Sequence, residues 1–84
     1  MWKITKPSEY ESDALANCTT YYRDGGLLII SPYRSKFRSF VYIDRIYKES
    51  ITDCDLEVVK LKSLLCLEKH GFKVKPEDFK EIIE

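Results

Sequence analysis

The sequence predicts a small α+β domain, with an antiparallel sheet centred on a hairpin of residues 27–31 and 37–47 and packed by helices. Three observations carry this prediction. Residues 27–30 form an unbroken apolar run, and 37–47 is rich in the aromatic and β-branched residues that favour strands. Residues 53–69 repeat apolar side chains at helical spacing, and a second such stripe follows Pro76. Eighty-four residues hold one domain, spanning 1–84, with one core and little room for a deep substrate cavity.

Taken in order, Trp2 and Ile4 alternate with Lys3 and Thr5, the pattern of a short first strand. Ser8, with Glu11 three residues on, forms a capping box that opens a helix. Tyr10, Ala14, Cys18 and Tyr22 recur every fourth residue along it, and Gly25-Gly26 supplies its stop. Residues 27–30 read as a buried strand, 31–35 as a turn around Pro32, and 37–47 as a longer strand. Thr52 and Asp55 mark the start of a helix over 53–69, with Cys54, Val58, Leu61, Leu64 and Leu65 on its inner face. Gly71 stops it, with Phe72 placed to touch Leu67 beyond the cap. Phe72 and Val74 alternate with lysines as a short strand would. Pro76, Glu77 and Asp78 then suit the first turn of a last helix, whose buried stripe is Phe79, Ile82 and Ile83. The resulting order fits a ferredoxin-like βαββαβ arrangement with an extra C-terminal helix, or else a small sheet covered by three helices.

Charge is segregated although it sums to zero. Residues 1–32 carry three bases and four acids, 33–48 five bases and one acid, and 49–84 six bases and nine acids. The central segment also holds five aromatic residues: Tyr33, Phe37, Phe40, Tyr42 and Tyr47. A neutral chain lacks the overall basicity of a typical nucleic-acid-binding domain. A local stripe still acts over about 8–10 Å, the reach that salt leaves it.

Strand alternation sorts 37–48 into two sides. Phe37, Ser39, Val41, Ile43, Arg45 and Tyr47 fall on one, and Val41 and Ile43 make it the core side. Arg38, Phe40, Tyr42, Asp44, Ile46 and Lys48 fall on the other, which is expected to stay open. Rings two residues apart with flanking cations resemble, in layout, the RNA-recognition-motif platform, on which bases stack. Lys36, Ser39, Phe40 and Val41 fit that family's third-strand signature. Phe37 stands where glycine is expected, and Arg38 replaces an aromatic.

No catalytic set emerges. His70 is the sole histidine and sits at a helix end, where a cation is favoured. No serine stands in an elbow motif, and Gly25-Gly26 lacks the rest of a phosphate loop. Asp53, Asp55 and Glu57 are accounted for by helix capping. Cys18, Cys54 and Cys66 are odd in number and never form a C-x-x-C pair, so neither a disulfide framework nor a zinc site is expected. No cofactor or metal is called for. No stretch approaches the roughly 18 apolar residues of a membrane span, and a reducing cytoplasm is the expected compartment.

The sequence therefore points to a non-enzymatic protein-binding module, an inhibitor or adaptor of a larger protein. Its binding surface comprises Tyr33, Arg34, Lys36, Arg38, Phe40, Tyr42 and Lys48. The alternative is a small RNA- or single-stranded-DNA-binding domain using the same open face. The C-terminal acids Glu77, Asp78, Glu81 and Glu84 are expected to be solvated, or to pair with the basic hairpin of a second copy.

Overall fold

A computed structural model describes residues 1–7 and 17–83. Among these residues five strands form one antiparallel sheet in the order in which they occur in the chain: β1 (Lys3–Thr5), β2 (Thr19–Arg23), β3 (Gly26–Tyr33), β4 (Lys36–Ile43) and β5 (Ile46–Asp53). Two helices follow, α1 (Leu56–Lys69) and α2 (Pro76–Ile83). The small α+β class is as expected. The ferredoxin-like order is not seen, because every pairing joins consecutive strands and none is a crossover.

The turns explain where the chain departs from the expected elements. Two-residue hairpin loops favour positive φ at both positions, because that twist matches the flanking strands. Asp24 and Gly25 have φ of 49° and 91°, so Asp24-Gly25 closes a hairpin instead of ending a helix. Thr19–Arg23, expected to be the end of the first helix, is strand β2, paired from Thr19↔Ile30 to Arg23↔Gly26. The Ser8–Glu11 capping box expected to open that helix lies outside the described residues. A second such loop, Asp44-Arg45 with φ of 51° and 69°, cuts the expected long strand 37–47 into β4 and β5. The two loops lie together, with the Asp44 N–H donating to Gly25 O at 2.9 Å. The third loop is only Arg34-Ser35. Pro32 therefore belongs to β3, opposite Phe37, beyond the last β2 partner of that strand. A proline without an N–H is tolerated where one flank has no neighbour.

Because β5 runs to Asp53, α1 starts at Leu56, later than the expected residue 53. Asp55 is its N-cap and accepts a bond from the Glu57 N–H at 2.9 Å. Its end is the expected glycine stop: Gly71 has φ of 92°, and the Phe72 N–H donates to Leu67 O at 2.9 Å. Residues 72–75 form no strand. The inner face of α1 is Val59, Ser63, Leu64, Cys66 and Leu67. Of the five residues expected there only Leu64 is buried, while Cys54, Leu61 and Leu65 are exposed.

The core lies between one face of the sheet and the two helices. Tyr21, Leu28, Ile30 and Val41 meet Val59, Leu64 and Leu67 of α1, Ile82 of α2, and Trp2. Each fully buried aliphatic side chain contributes about 1.5–3 kcal/mol. A buried polar cluster ties α2 to the sheet. Asp78 accepts from Trp2 Nε1 (2.9 Å), the Arg23 guanidinium (2.8 Å) and the Lys75 N–H (2.8 Å). Arg23 in turn packs against the rings of Trp2 and Phe72, with its guanidinium 5.1 and 4.7 Å from their centres. Asp78, expected to be solvated, is thus only 2% exposed, because this short helix is held by its first turn. Among the described residues no helix is long and apolar enough to cross a membrane.

Candidate functional site

The strand registers define the face of the sheet opposite the core. Tyr21, Leu28 and Val41 pair in a row and are buried, as are Ile30 and Ser39. Their sequence neighbours point the other way. Tyr22, Leu27, Tyr42 and Tyr47 form one row across four strands, Thr20, Ile29, Phe40 and Ser50 the next, and Ser31, Arg38 and Thr52 a third. Tyr33 pairs with Lys36 at the end of the hairpin. Both helices pack on the other side, so none of the described elements covers this face. Tyr22 and Tyr47 are half exposed, while Tyr33, Arg38, Phe40 and Tyr42 are partly shielded by one another.

Five of the seven expected site residues come together here. The Arg38 guanidinium lies 3.5 Å from the centre of the Tyr33 ring and 5.7 Å from that of Phe40. Arg34, exposed in the turn with φ of 57°, approaches the same Tyr33 ring at 5.3 Å. Phe40 and Tyr42 both contact Tyr47, with ring centres 6.4 and 5.6 Å apart, the latter pair edge to face. Such pairs contribute about 0.5–1.5 kcal/mol beyond their burial. Lys36 lies on the face but is exposed, and it makes none of these ring contacts.

Lys48 is a correction. It is expected on the open face with Arg38, Phe40 and Tyr42, but Val41 pairs with Glu49 and Tyr42 with Tyr47, which leaves Lys48 as the extra residue of a bulge in β5. The Asp44-Arg45 turn and this bulge also reverse the expected sides beyond Ile43. Tyr47, assigned to the core side, joins the open face, and Glu49 turns toward α1. Tyr22, Leu27 and Ile29 complete the face, and the sequence reading missed them. The Asp24-Gly25 pair between two apolar runs was the signal that would have placed them on strands.

Two electrical features stand out. The open face as set by the registers carries Lys3, Lys36 and Arg38 and no aspartate or glutamate. Among the described residues the Arg38 side chain has no hydrogen bond or ion pair, and its Nε is shielded from solvent without a partner. Stacking on Tyr33 orders the guanidinium plane while leaving its fork uncommitted. A guanidinium in that state can accept a carboxylate or a phosphate at its fork.

Elsewhere the chemistry is structural or of a different kind. A cavity of ≈520 Å³ is lined by Arg23, Lys75, Asp78 and Glu81 among others, and its Asp78 carboxylate already accepts from three donors. On the core side of the sheet, Glu49 meets Cys66, Lys69 and His70. The His70 ring, the Cys66 thiol and the Lys69 ammonium hold the Glu49 carboxyl down at about 2. Burial, with Glu49 beside it, pushes the Cys66 thiol up to about 11. The thiol is therefore protonated and is no nucleophile at neutral pH. The three cysteines are unpaired, but only Cys66 is buried, and Cys54 is exposed against expectation.

No protein-family model, curated protein or solved structure matches this chain.

Proposed function

We propose that the chain is a non-enzymatic protein-binding module, an inhibitor or adaptor whose open sheet face docks on an acidic, partly apolar patch of a larger protein. The observation that carries this reading is the uncommitted Arg38 guanidinium stacked on Tyr33, within an acid-free face bearing five aromatic rings. Aromatic residues and arginine are the types most enriched at binding hot spots. An apolar anchor set flanked by cations suits a partner that offers a hydrophobic centre and carboxylates.

A nucleic acid would use the same cations, and base stacking would use the same rings. Two features favour a protein partner. Arg38 already occupies one face of the Tyr33 ring, and Tyr42 and Tyr47 meet edge to face instead of presenting parallel platforms.

The test pairs two measurements. Partners are captured from the native cell with the wild-type chain, Arg38→Ala and Tyr42→Ala, and each candidate is then purified and titrated directly. A fluorescent pool of RNA and single-stranded DNA is titrated alongside at about 50 and 200 mM salt. The expected result is a purified protein partner whose affinity falls at least about tenfold in both variants, with no oligonucleotide binding. Oligonucleotide binding with a steep salt slope, lost in the same variants, would replace this reading with the nucleic-acid one. A partner indifferent to both substitutions would remove the open face from the site.

A further inference from the structure

On the core side of the sheet, away from the proposed docking face, three kinds of metal-ligand atom converge. Cys66 and His70 stand four residues apart at the end of α1 and so share one face, while Glu49 reaches them from β5. One carboxylate oxygen, Glu49 Oε2, lies 3.3 Å from Cys66 Sγ and 2.8 Å from His70 Nε2. One ligand atom from each of the three residues lies within 4.8 Å of the other two. Around a tetrahedral zinc ion, whose bonds are about 2.0–2.3 Å long, neighbouring ligand atoms stand about 3.3–3.6 Å apart. Small side-chain rotations of Glu49 and His70, both partly exposed, span the difference.

The surroundings suit an ion with one open position. A cavity of ≈240 Å³, lined by Glu49, Leu65, Cys66 and Lys69 among others, adjoins the thiol and offers room for a water ligand. Among the described residues no fourth His, Cys or acidic side chain joins the three. Lys69 Nζ opposes binding, standing 3.2 Å from Glu49 Oε2, but its side chain is 69% exposed and free to swing away.

We propose that Glu49, Cys66 and His70 form a binding site for a borderline-soft divalent transition-metal ion, zinc foremost, with water in the fourth position. A thiolate and an imidazole select such ions over magnesium and calcium, which prefer all-oxygen sites. As the ion enters, the Cys66 S–H bond breaks, its proton passes to solvent, and the thiolate sulfur bonds to the metal. His70 supplies a ring-nitrogen lone pair, and Glu49 exchanges its hydrogen bonds for a metal–oxygen bond. An ordinary charge cluster at a helix end behaves in the opposite sense: it depends on Lys69, and it has no use for a thiolate.

The experiment titrates the reduced full-length chain with cobalt(II), which reports thiolate ligation as a near-ultraviolet charge-transfer band and tetrahedral geometry as intense visible bands. The expected result is one cobalt per chain, displaced by zinc. Cys66→Ser should abolish the charge-transfer band, and His70→Ala should weaken binding at least about tenfold. Lys69→Ala should strengthen it about three- to tenfold, because a like charge leaves the site. Cys54→Ser, an exposed thiol elsewhere, should change nothing. Circular dichroism confirms that each variant is folded. If Cys66→Ser does not fold, the exposed His70→Ala and Lys69→Ala pair decides. Absence of the charge-transfer band at about 1 mM cobalt, its loss in Cys54→Ser, or weaker binding in Lys69→Ala overturns the proposal.

Discussion

Replacing Asp78 by alanine tests what keeps both helices on one side of the sheet. Asp78 is buried at the start of α2 and accepts three hydrogen bonds, from Trp2, Arg23 and Lys75. Removing it strands the Trp2 indole N–H, the Lys75 N–H and one N–H of the Arg23 guanidinium. Breaking a buried pair by deleting one partner costs about 3–5 kcal/mol. Arg23 keeps the Lys73 carbonyl at 2.9 Å and Asp24 at 3.1 Å, so the lower end of that range, about 3 kcal/mol, is expected. A domain of this size has about 4–13 kcal/mol of stability in all, so the variant should be marginal or partly unfolded. With an m-value of about 1 kcal/mol/M for a small protein, the urea midpoint should fall by about 3 M. Trp2, the only tryptophan, lies in the cluster and reports the transition by fluorescence. A cycle with Arg23→Ala isolates the coupling between the two charges. Acid provides an independent check. Burial pushes the Asp78 carboxyl up, but the Lys75 amide, the Trp2 indole and the Arg23 guanidinium together bring it below the ordinary value. Its contribution is therefore fully present above the unfolded carboxyl's pKa of about 3.9. It is lost as pH falls below that and through the folded value, and it should be missing from the acid transition of Asp78→Ala. A loss under about 1 kcal/mol, with no coupling to Arg23, would refute the view that this cluster anchors α2.

Other substitutions separate recognition from folding. Tyr42→Ala and Tyr47→Ala remove a cross-strand ring pair and should each cost no more than about 1 kcal/mol by urea unfolding, while Tyr42→Ala should weaken binding of the proposed partner at least about tenfold. Ser39 is fully buried and its hydroxyl has no partner among the described residues, so Ser39→Ala should raise stability by about 1 kcal/mol, seen as a higher urea midpoint. Gly71→Ala meets no atom within 4 Å but must hold φ of 92°, and should cost about 1–2 kcal/mol. Gly26→Ala would place a β-carbon 2.6 Å from the Phe72 ring and displace a core side chain, with a loss of about 1–3 kcal/mol by the same measurement.

Where local chemistry and tertiary context agreed, the sequence was readable. Gly71 and Phe72 form the expected helix stop, Pro76 opens α2, and the split of Ser39 and Val41 from Arg38, Phe40 and Tyr42 matches the faces of β4. The two hairpin loops misled for different reasons. Asp24-Gly25 had the right turn chemistry, but Gly26 beside it imitated a helix stop and Tyr22 completed a false four-residue period. Asp44-Arg45 offered no such signal, because arginine is a poor left-handed residue and is held there by the strands on either side. The inner stripe of α1 was misread because Leu61 and Leu65 lie on its outer surface, so the apolar residues surround the helix and do not mark one side. The meeting of Glu49 with Cys66 and His70 depends on the β5 bulge, which no short-range pattern encodes.

The fold also explains why an aromatic surface remains outside the core. A sheet covered on one side normally alternates apolar-in with polar-out. Here β3 and β4 alternate instead between a core row and a row of Leu27, Ile29, Phe40 and Tyr42, and Tyr22 and Tyr47 extend it across the neighbouring strands. Such a sheet would be satisfied by a second helical layer. Both described helices are committed elsewhere, α1 by Val59, Leu64 and Leu67 and α2 by Asp78 and Ile82. The outward row is thus apolar without being required by the core, and leaving it wet forgoes the burial that each ring could contribute. Its cations sharpen the point. Arg38 rests on Tyr33 with no acid opposite among the described residues, whereas Arg23, chemically the same residue on the core side, is paired with Asp78. An arginine already ordered yet lacking its counter-charge loses little entropy when a carboxylate arrives. A partner carboxylate at Arg38 would reproduce, across an interface, the pairing that the chain has built for Arg23 within its own interior.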